Sequence, residues 1–347
     1  MPELRMPAEW EKHSATLLTW PHNRETWPGE RLKRVEAVYS DIIQTLHQYE
    51  KVYLLAADNS VKQRAEEILN DKIQNPANLE IIERSVNDVW ARDYGPIMVR
   101  SAAGTVTITD WEYNAWGGKY PPWSDDNSVP EFLSKKFKFE RVQPGIVLEG
   151  GSIDTNGNGI LLTTESVLLN PNRNPGLSKQ EIESTLAEYL GIEKVIWLKN
   201  GLAGDDTDGH IDDIARFVNK NTIVAALPED TSDVNYRALK DNYEILKSAA
   251  DLNGKLFNII TIPMPVTKIE GTTVDGSEYV PASYANFYLA NGVVLLPLYD
   301  EKYDEEMIEL FSDLFPERDI AGIECSDLVW GQGSIHCITQ QLYGTDA

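Results

Sequence analysis

One unit of sequence recurs along the chain and limits the folds open to it: an apolar strand, a tight turn, a second strand, an amphipathic helix and a third strand. The clearest copy reads IARFVNKNTIVAAL (214–227), then the helix-like DVNYRALKDNYEILKSAADLNG (233–254), then KLFNIITIPM (255–264). Another reads SYANFYLANGVVLLPLY (283–299), DEEMIELFSDLF (304–315) and DIAGIEC (319–325). The turns Asn219-Lys220-Asn221 and Asn291-Gly292 supply residue types that tolerate positive φ, the conformation tight hairpins use.

Two further copies are looser. SIDTNGNGILLTT (152–164), SKQEIESTLAEYLG (178–191) and KVIWL (194–198) form one, and IMVRSAAGTVTITD (97–110) followed by EFLSKKF (131–137) forms the other. A fifth exists only if the two ends meet: SIHCITQQ (334–341) beside SATLLTWP (14–21), then ERLKRVEAVYSDIIQTLHQYE (30–50) and KVYLLAA (51–57). Pairing the last strand with the first removes exposed sheet edges. With 347 residues the chain exceeds the ~250–300 residues at which one open core stops growing, so it is either two domains or one closed architecture. The end-to-end match favours an α/β ring of five ββαβ units, one domain over residues 1–347. Residues 58–86, with VKQRAEEILN and LEIIERS, fit the unit poorly and read as an insertion.

A net charge of −24 argues against a nucleic-acid partner, because affinity for phosphate backbones comes from Lys and Arg. The same charge attracts small cations. Two cysteines, Cys325 and Cys337, with no Cys-x-x-Cys spacing, indicate a reducing compartment. MPELRMPAEWEKHSATLL lacks a signal-peptide core, and no apolar run is long enough to span a membrane, so the expectation is a cytoplasmic protein with no membrane partner.

Chemistry-bearing residues recur at the entrance of each hairpin: Trp90-Ala91-Arg92-Asp93, Leu148-Glu149-Gly150-Gly151, Gly209-His210-Ile211-Asp212-Asp213, Tyr284-Ala285-Asn286 and Ser334-Ile335-His336-Cys337. In a ring these entrances face one axial end, so Asp93, Glu149, His210, Asp212 and Cys337 line one pocket. Read as a strand, SIHCITQQ sends His336 and Cys337 to opposite faces, which makes His336 a packed or hydrogen-bonded histidine outside the pocket. GDDTDGHIDD (204–213) has carboxylates and a histidine but no second histidine at i+4, which argues against zinc; part of it reads as a solvated acidic loop. Asp154, Asn156, Asn158, Gly159 and Glu165 match a calcium loop, yet strands flank them where that loop needs helices, so the stretch reads as a hairpin turn. Two function classes remain: a cysteine enzyme with an acidic pocket, and a non-catalytic binding scaffold.

NDVWARDYGP (87–96), LEGGS (148–152), GDDTDGHIDD (204–213) and SIHCITQQ (334–341) resemble, in order, the motifs of the agmatine deiminases of the guanidine-modifying (pentein) superfamily. The resemblance implies a five-bladed α/β propeller about a pseudo-fivefold axis, and hydrolysis of agmatine to N-carbamoylputrescine and ammonia without metal or organic cofactor. It implies Cys337 as nucleophile, His210 as acid/base, Asp93 and Asp212 as the grip on the guanidinium, and Glu149 as a further pocket acid. Asp206 then corresponds to an acceptor for agmatine's far ammonium, Trp90 to a wall, and a homodimer is the family's suggestion for assembly. The chain departs from the pattern at Gln332 and Ser334, where many members have Gly and Asn. The nearest alternative is a protein- or peptide-arginine deiminase on the same fold.

The residue types suit this chemistry on their own terms. A guanidinium stays protonated, with a pKa above ~12, so carboxylates must hold it against a thiolate for its carbon to be attacked. A free thiol, with a pKa of ~8.5, needs a nearby cation to ionise at neutral pH; the bound substrate or a protonated His210 can supply it.

Overall fold

A computed structural model describes residues 4–266 and 276–345. The described residues form five sheets, each with an antiparallel pair extended by a strand parallel to one of its members. Ala215–Asn219 pairs antiparallel with Thr222–Ala226, which pairs in parallel with Asn258–Ile262 after the helix Tyr236–Ser248. Tyr288–Ala290, Val293–Leu298 and Asp319–Glu324 repeat the pattern around the helix Asp304–Leu314. Asp154–Thr155, Ile160–Thr164 and Lys194–Leu198 do so around Lys179–Leu190. In the sheet of Ile97–Ser101, Val106–Thr109 and Glu140–Val142, the segment Leu4–Arg5 adds a fourth strand.

The ends do meet. Gln340–Leu342 pairs antiparallel with Ala15–Thr19, Gln340 opposite Leu17 and Leu342 opposite Ala15, and Lys51–Ala56 continues that sheet in parallel. The insertion extends this same sheet. Asp58 caps the helix Asn59–Leu69 by accepting the Val61 N–H (2.9 Å), and Leu79–Glu83 adds an outer parallel strand.

The second strand of each unit is its most deeply buried part: Val224, Leu295, Leu161 and Leu17 are inaccessible to solvent. Such strands are covered on both faces, which explains their continuous apolar runs.

Two local expectations change, and a third, the hairpin at 154–164, holds. Residues 334–341 are not one strand: Ile335–Ile338 is a helical turn, and only Gln340–Leu342 is extended. The turn at Lys220–Asn221 closes without positive φ, through an irregularity between Phe217 and Asn219, whereas Gly292 does take φ +77°. The calcium-like stretch is a hairpin: Asn156 Oδ1 accepts the N–H groups of Asn158 and Ile160, and both Asp154 oxygens are taken, by Arg216 and by the Phe217 N–H.

Candidate active site

Three of the five expected pocket residues sit in a single turn of helix just ahead of a sheet, and the other two take the N-cap position of one. Asp93 lies in Ala91–Tyr94, Asp212 in Ile211–Asp213 with His210 before it, and Cys337 in Ile335–Ile338; Glu149 precedes Gly150–Ser152. All five are buried. Such turns aim side chains along the end of a sheet, where an extended strand would send alternate residues to its faces.

Contacts between these turns close a cycle. Asp93 Oδ1 accepts the Gly151 N–H (2.9 Å) and lies 3.7 Å from His210 Nδ1. His210 Nε2 is 3.9 Å from Glu149 Oε2, an ion-pair separation too long for a hydrogen bond. From the turn of His210, Asp212 Oδ2 accepts from His336 Nδ1 (2.7 Å) and Asp213 Oδ1 accepts from Asn286 Nδ2 (2.9 Å). Asn286 Nδ2 also donates to Cys337 Sγ (3.2 Å), and Arg92 Nε returns to the His336 carbonyl (3.3 Å).

Gly151 lets His210, Asp93 and Asp212 pack closely around it. A Cβ there would lie 2.6 Å from His210 Nδ1, 2.8 Å from Asp93 Oδ1 and 3.0 Å from Asp212 Oδ2. Three buried atoms, Glu149 Oε2, His210 Nε2 and Asp212 Oδ1, have no hydrogen-bond partner among the described residues. Two of these are carboxylate oxygens, so the site offers acceptors to a donor-rich cation.

The charges are strongly interdependent. Burial pushes Asp93 up to about 6, aided by Asp212 and Glu149 and opposed by His210. Burial would lower His210, but Asp93, Glu149 and Asp212 raise it to about 10, so the imidazole is protonated at neutral pH. Burial would raise Glu149 and Asp212, yet Arg173 and His336 respectively hold them below the usual carboxylate range. Burial and the carboxylates of Asp212, Asp213 and Asp93 push the Cys337 thiol well above its ordinary value. Without a bound cation the thiol is therefore protonated.

Asp93 and Cys337 reach a cavity of about 320 Å³, walled also by Trp90, Trp116, Asp206 and Gln332. Glu149, His210 and Asp212 are not among its walls and lie in the layer behind. Trp90 packs between Trp27 and Trp116, and Trp116 Nε1 donates to Asp93 Oδ2 (2.9 Å). Asp206 Oδ2 accepts from the Tyr120 hydroxyl (2.6 Å). Gly331 and Gly333 make room for Trp27 and Trp90, while Gln332 between them takes φ +78°. Asp212, Asp213 and Cys337 offer ligand atoms within 4.8 Å of one another, so a cation has donors here, though without an imidazole nitrogen.

Several readings from sequence need correction. His336 is the buried, hydrogen-bonded histidine outside the cavity walls that was expected, but the reason differs, since a helical turn and not an alternating strand carries it. His210 faces Asp93 and Glu149, while the sulfur contacts Asn286 and Asp212 (3.9 Å to Oδ2), so the histidine is not the thiol's hydrogen-bond partner. Asp208 is no free loop acid: it accepts from Lys119, Arg173 and Asn172. Arg173 is a residue that sequence reasoning missed. Its buried guanidinium binds Glu149 Oε1 (2.5 Å) and Asp208 Oδ2 (2.8 Å) from a Pro- and Asn-rich loop that no repeat singles out. Asn286 was visible only as the member of a hairpin entrance without an ionisable group.

A thiol beside buried carboxylates suits an enzyme that hydrolyses the C–N bonds of amidines. Residues 5–342 match the Porphyromonas-type peptidyl-arginine deiminase family, and the chain belongs to it. Among solved structures it is similar to the agmatine deiminase of Enterococcus faecalis, at 32% identity, TM-score 0.91, and coverage of 99% of this chain and 96% of that one. An agmatine deiminase of C. jejuni with substrate bound is 33% identical, with TM-score 0.87 and coverage of 98% and 96%. A Legionella pneumophila relative, provisionally named an agmatine deiminase, is 39% identical over 337 residues, covering 97% of this chain and 94% of its own.

Proposed function

We propose that the chain is an agmatine deiminase, converting agmatine and water into N-carbamoylputrescine and ammonia, built as a single propeller of five units about a pseudo-fivefold axis. The observation that carries the reading is the meeting of Asp93 and Cys337 at one cavity, with unpartnered Asp212 Oδ1 and Glu149 Oε2 buried behind it. The cycle of contacts between the unit entrances supports the ring. Two free cysteines and the absence, among the described residues, of a helix able to cross a membrane accord with a cytoplasmic enzyme.

Asp93 and Asp212 hold the guanidinium, Glu149 accepts a further N–H, and the carbon faces Cys337 Sγ. Since the empty pocket disfavours the thiolate, the arriving cation supplies the charge that ionises it, the thiol proton passing to solvent. Sulfur bonds to the guanidino carbon, the bond to one terminal nitrogen breaks, and His210 delivers the proton with which ammonia leaves. An amidino group remains on sulfur as a thiouronium. His210, now neutral, takes one proton from water as oxygen attacks the carbon; the carbon–sulfur bond breaks, sulfur leaves as thiolate, and the remaining hydroxyl proton passes to it, giving the carbonyl of N-carbamoylputrescine and the resting thiol.

Ammonia release from agmatine, free arginine and an arginine peptide tests the reading. Turnover on agmatine alone is expected; preference for the peptide would make the chain a peptidyl-arginine deiminase, and no turnover on any would leave a binding scaffold. Cys337→Ser should abolish release. Titrating the thiol by alkylation rate, with and without an unreactive guanidine, should reveal a lower pKa in the complex, and an unchanged value would remove the substrate-assisted step. Asp206 and Trp90 receive the far ammonium and chain. Asp206→Asn should therefore raise KM for agmatine more than it lowers kcat.

A further inference from the structure

Behind Asp212 lies a buried chain of charged groups that the mechanism above does not use. His336 Nδ1 meets Asp212 Oδ2 (2.7 Å) and its Nε2 meets Glu9 Oε2 (2.8 Å). Each ring nitrogen of His336 therefore faces a carboxylate oxygen. Glu9 comes from the segment between the strands Leu4–Arg5 and Ala15–Thr19. Its Oε1 accepts the Leu289 N–H (2.8 Å) and faces Arg216 (3.0 Å), its Oε2 accepts from Arg92 (3.2 Å), and Arg216 Nε continues to Asp154 (2.8 Å). Glu9, Arg92, Arg216 and His336 are all buried.

The main chain of His336 is also held at both ends, its N–H by Asn286 Oδ1 (2.9 Å) and its carbonyl by Arg92. One turn therefore carries the nucleophile and the partner of the carboxylate facing it. His336 occupies Oδ2 of Asp212 and leaves Oδ1 unpartnered.

We propose that His336 is a positioning residue: anchored by Glu9, it fixes the rotation of Asp212 so that Oδ1 faces the guanidinium, and it sets that carboxylate against Cys337. This rests on the reading of Asp212 as a guanidinium-binding group. It also makes the N-terminal segment, through Glu9, part of the support of the site.

Two substitutions separate the contacts. The Nδ2 of asparagine falls near Nδ1 of histidine, so His336→Asn keeps a donor to Asp212; the Nε2 of glutamine falls near Nε2, so His336→Gln keeps the donor to Glu9. With folding checked by thermal melting, His336→Asn should hold kcat/KM for agmatine within about tenfold of the parent, and His336→Gln should lose about 100-fold, mainly in kcat. Cys337 labelling provides a readout without turnover: chloroacetamidine presents an amidinium to the carboxylates, and iodoacetamide does not. In His336→Gln the first rate should fall at least tenfold relative to the second. Equal kinetics in the two variants, or equal loss of both labelling rates, would overturn the proposal.

If His336→Gln does not fold, Glu9→Gln decides. It keeps an acceptor for His336 and removes the anchoring charge. A selective loss of amidinium labelling supports the proposal, and unchanged labelling and kcat overturn it. A parent chain that labels selectively with chloroacetamidine yet releases no ammonia from agmatine fails the functional reading, and the labelling arm still judges His336.

Discussion

Gly151 does not occupy the left-handed region of backbone space, so only crowding forbids a side chain there. Gly151→Ala places a methyl between His210, Asp93 and Asp212, and such overpacking costs roughly 1–3 kcal/mol. Because the methyl must displace His210, Asp93 or Asp212, turnover should fall by about 100-fold while the protein still folds; unchanged kcat/KM with agmatine would show that their close approach is not needed for turnover. The same cluster sets a pH dependence. Asp93 must be ionised to hold a cation, and burial raises it to about 6, so kcat/KM should climb with pH through about 6, roughly tenfold per unit below that value. His210, raised to about 10, remains the proton donor throughout that range. A profile flat from about pH 5 to 7 would contradict the assignment of Asp93. The acids, His210 and Cys337 were legible because each stands at a repeated place in the unit. Arg173, Asn286 and the true place of His336 were not, since their roles come from partners in other units and leave no spacing in the sequence.

At the scale of elements, the helices were easier to read than the turns that hold the site. Lys179–Leu190 begins at Ser178, whose hydroxyl accepts the Glu181 N–H (3.3 Å) while Glu181 returns to the Ser178 N–H (2.7 Å), and it ends at Gly191 with φ +68°. Both signals are local, so the sequence announces them. Ser178→Ala should lower stability by about 1 kcal/mol and leave ammonia release untouched, because the helix lies outside the contacts described for the pocket. Denaturant melts alongside activity assays check this, and a loss of activity would mean that the helix is coupled to the site. Ile335–Ile338 is the opposite case. Isoleucine and threonine at 335, 338 and 339 favour a strand by local preference, but Asn286 Oδ1 takes the His336 N–H and Arg92 takes the His336 carbonyl, which bends the segment into a turn. A tertiary contact that overrides propensity has no local trace.

For the whole molecule, closure follows from one half-unit at each end, and these halves were recognisable because neither makes a complete repeat alone. The structure brings the ends themselves together: Arg5 pairs with Arg100, and the Arg100 guanidinium stacks 4.4 Å from the centre of the Tyr343 ring. The link between residues 5 and 343 is then replaceable, whereas the strand Gln340–Leu342 is not. Gln340 Nε2 donates to the Pro96 carbonyl (2.8 Å), and Gln341 Oε1 accepts from Arg92 (2.7 Å), so that strand also steadies the turn of Asp93. Joining the ends by a flexible linker of about ten residues and reopening the chain between the exposed Asn253 and Gly254 should give a protein that melts cooperatively and releases ammonia from agmatine at a rate within about tenfold of the parent. Ending the chain after Thr339 should instead expose the edge of Ala15–Thr19, release Arg92 and abolish both cooperative melting and activity. A truncated chain that melts like the parent would mean that the other sheets hold the ring without its closing strand.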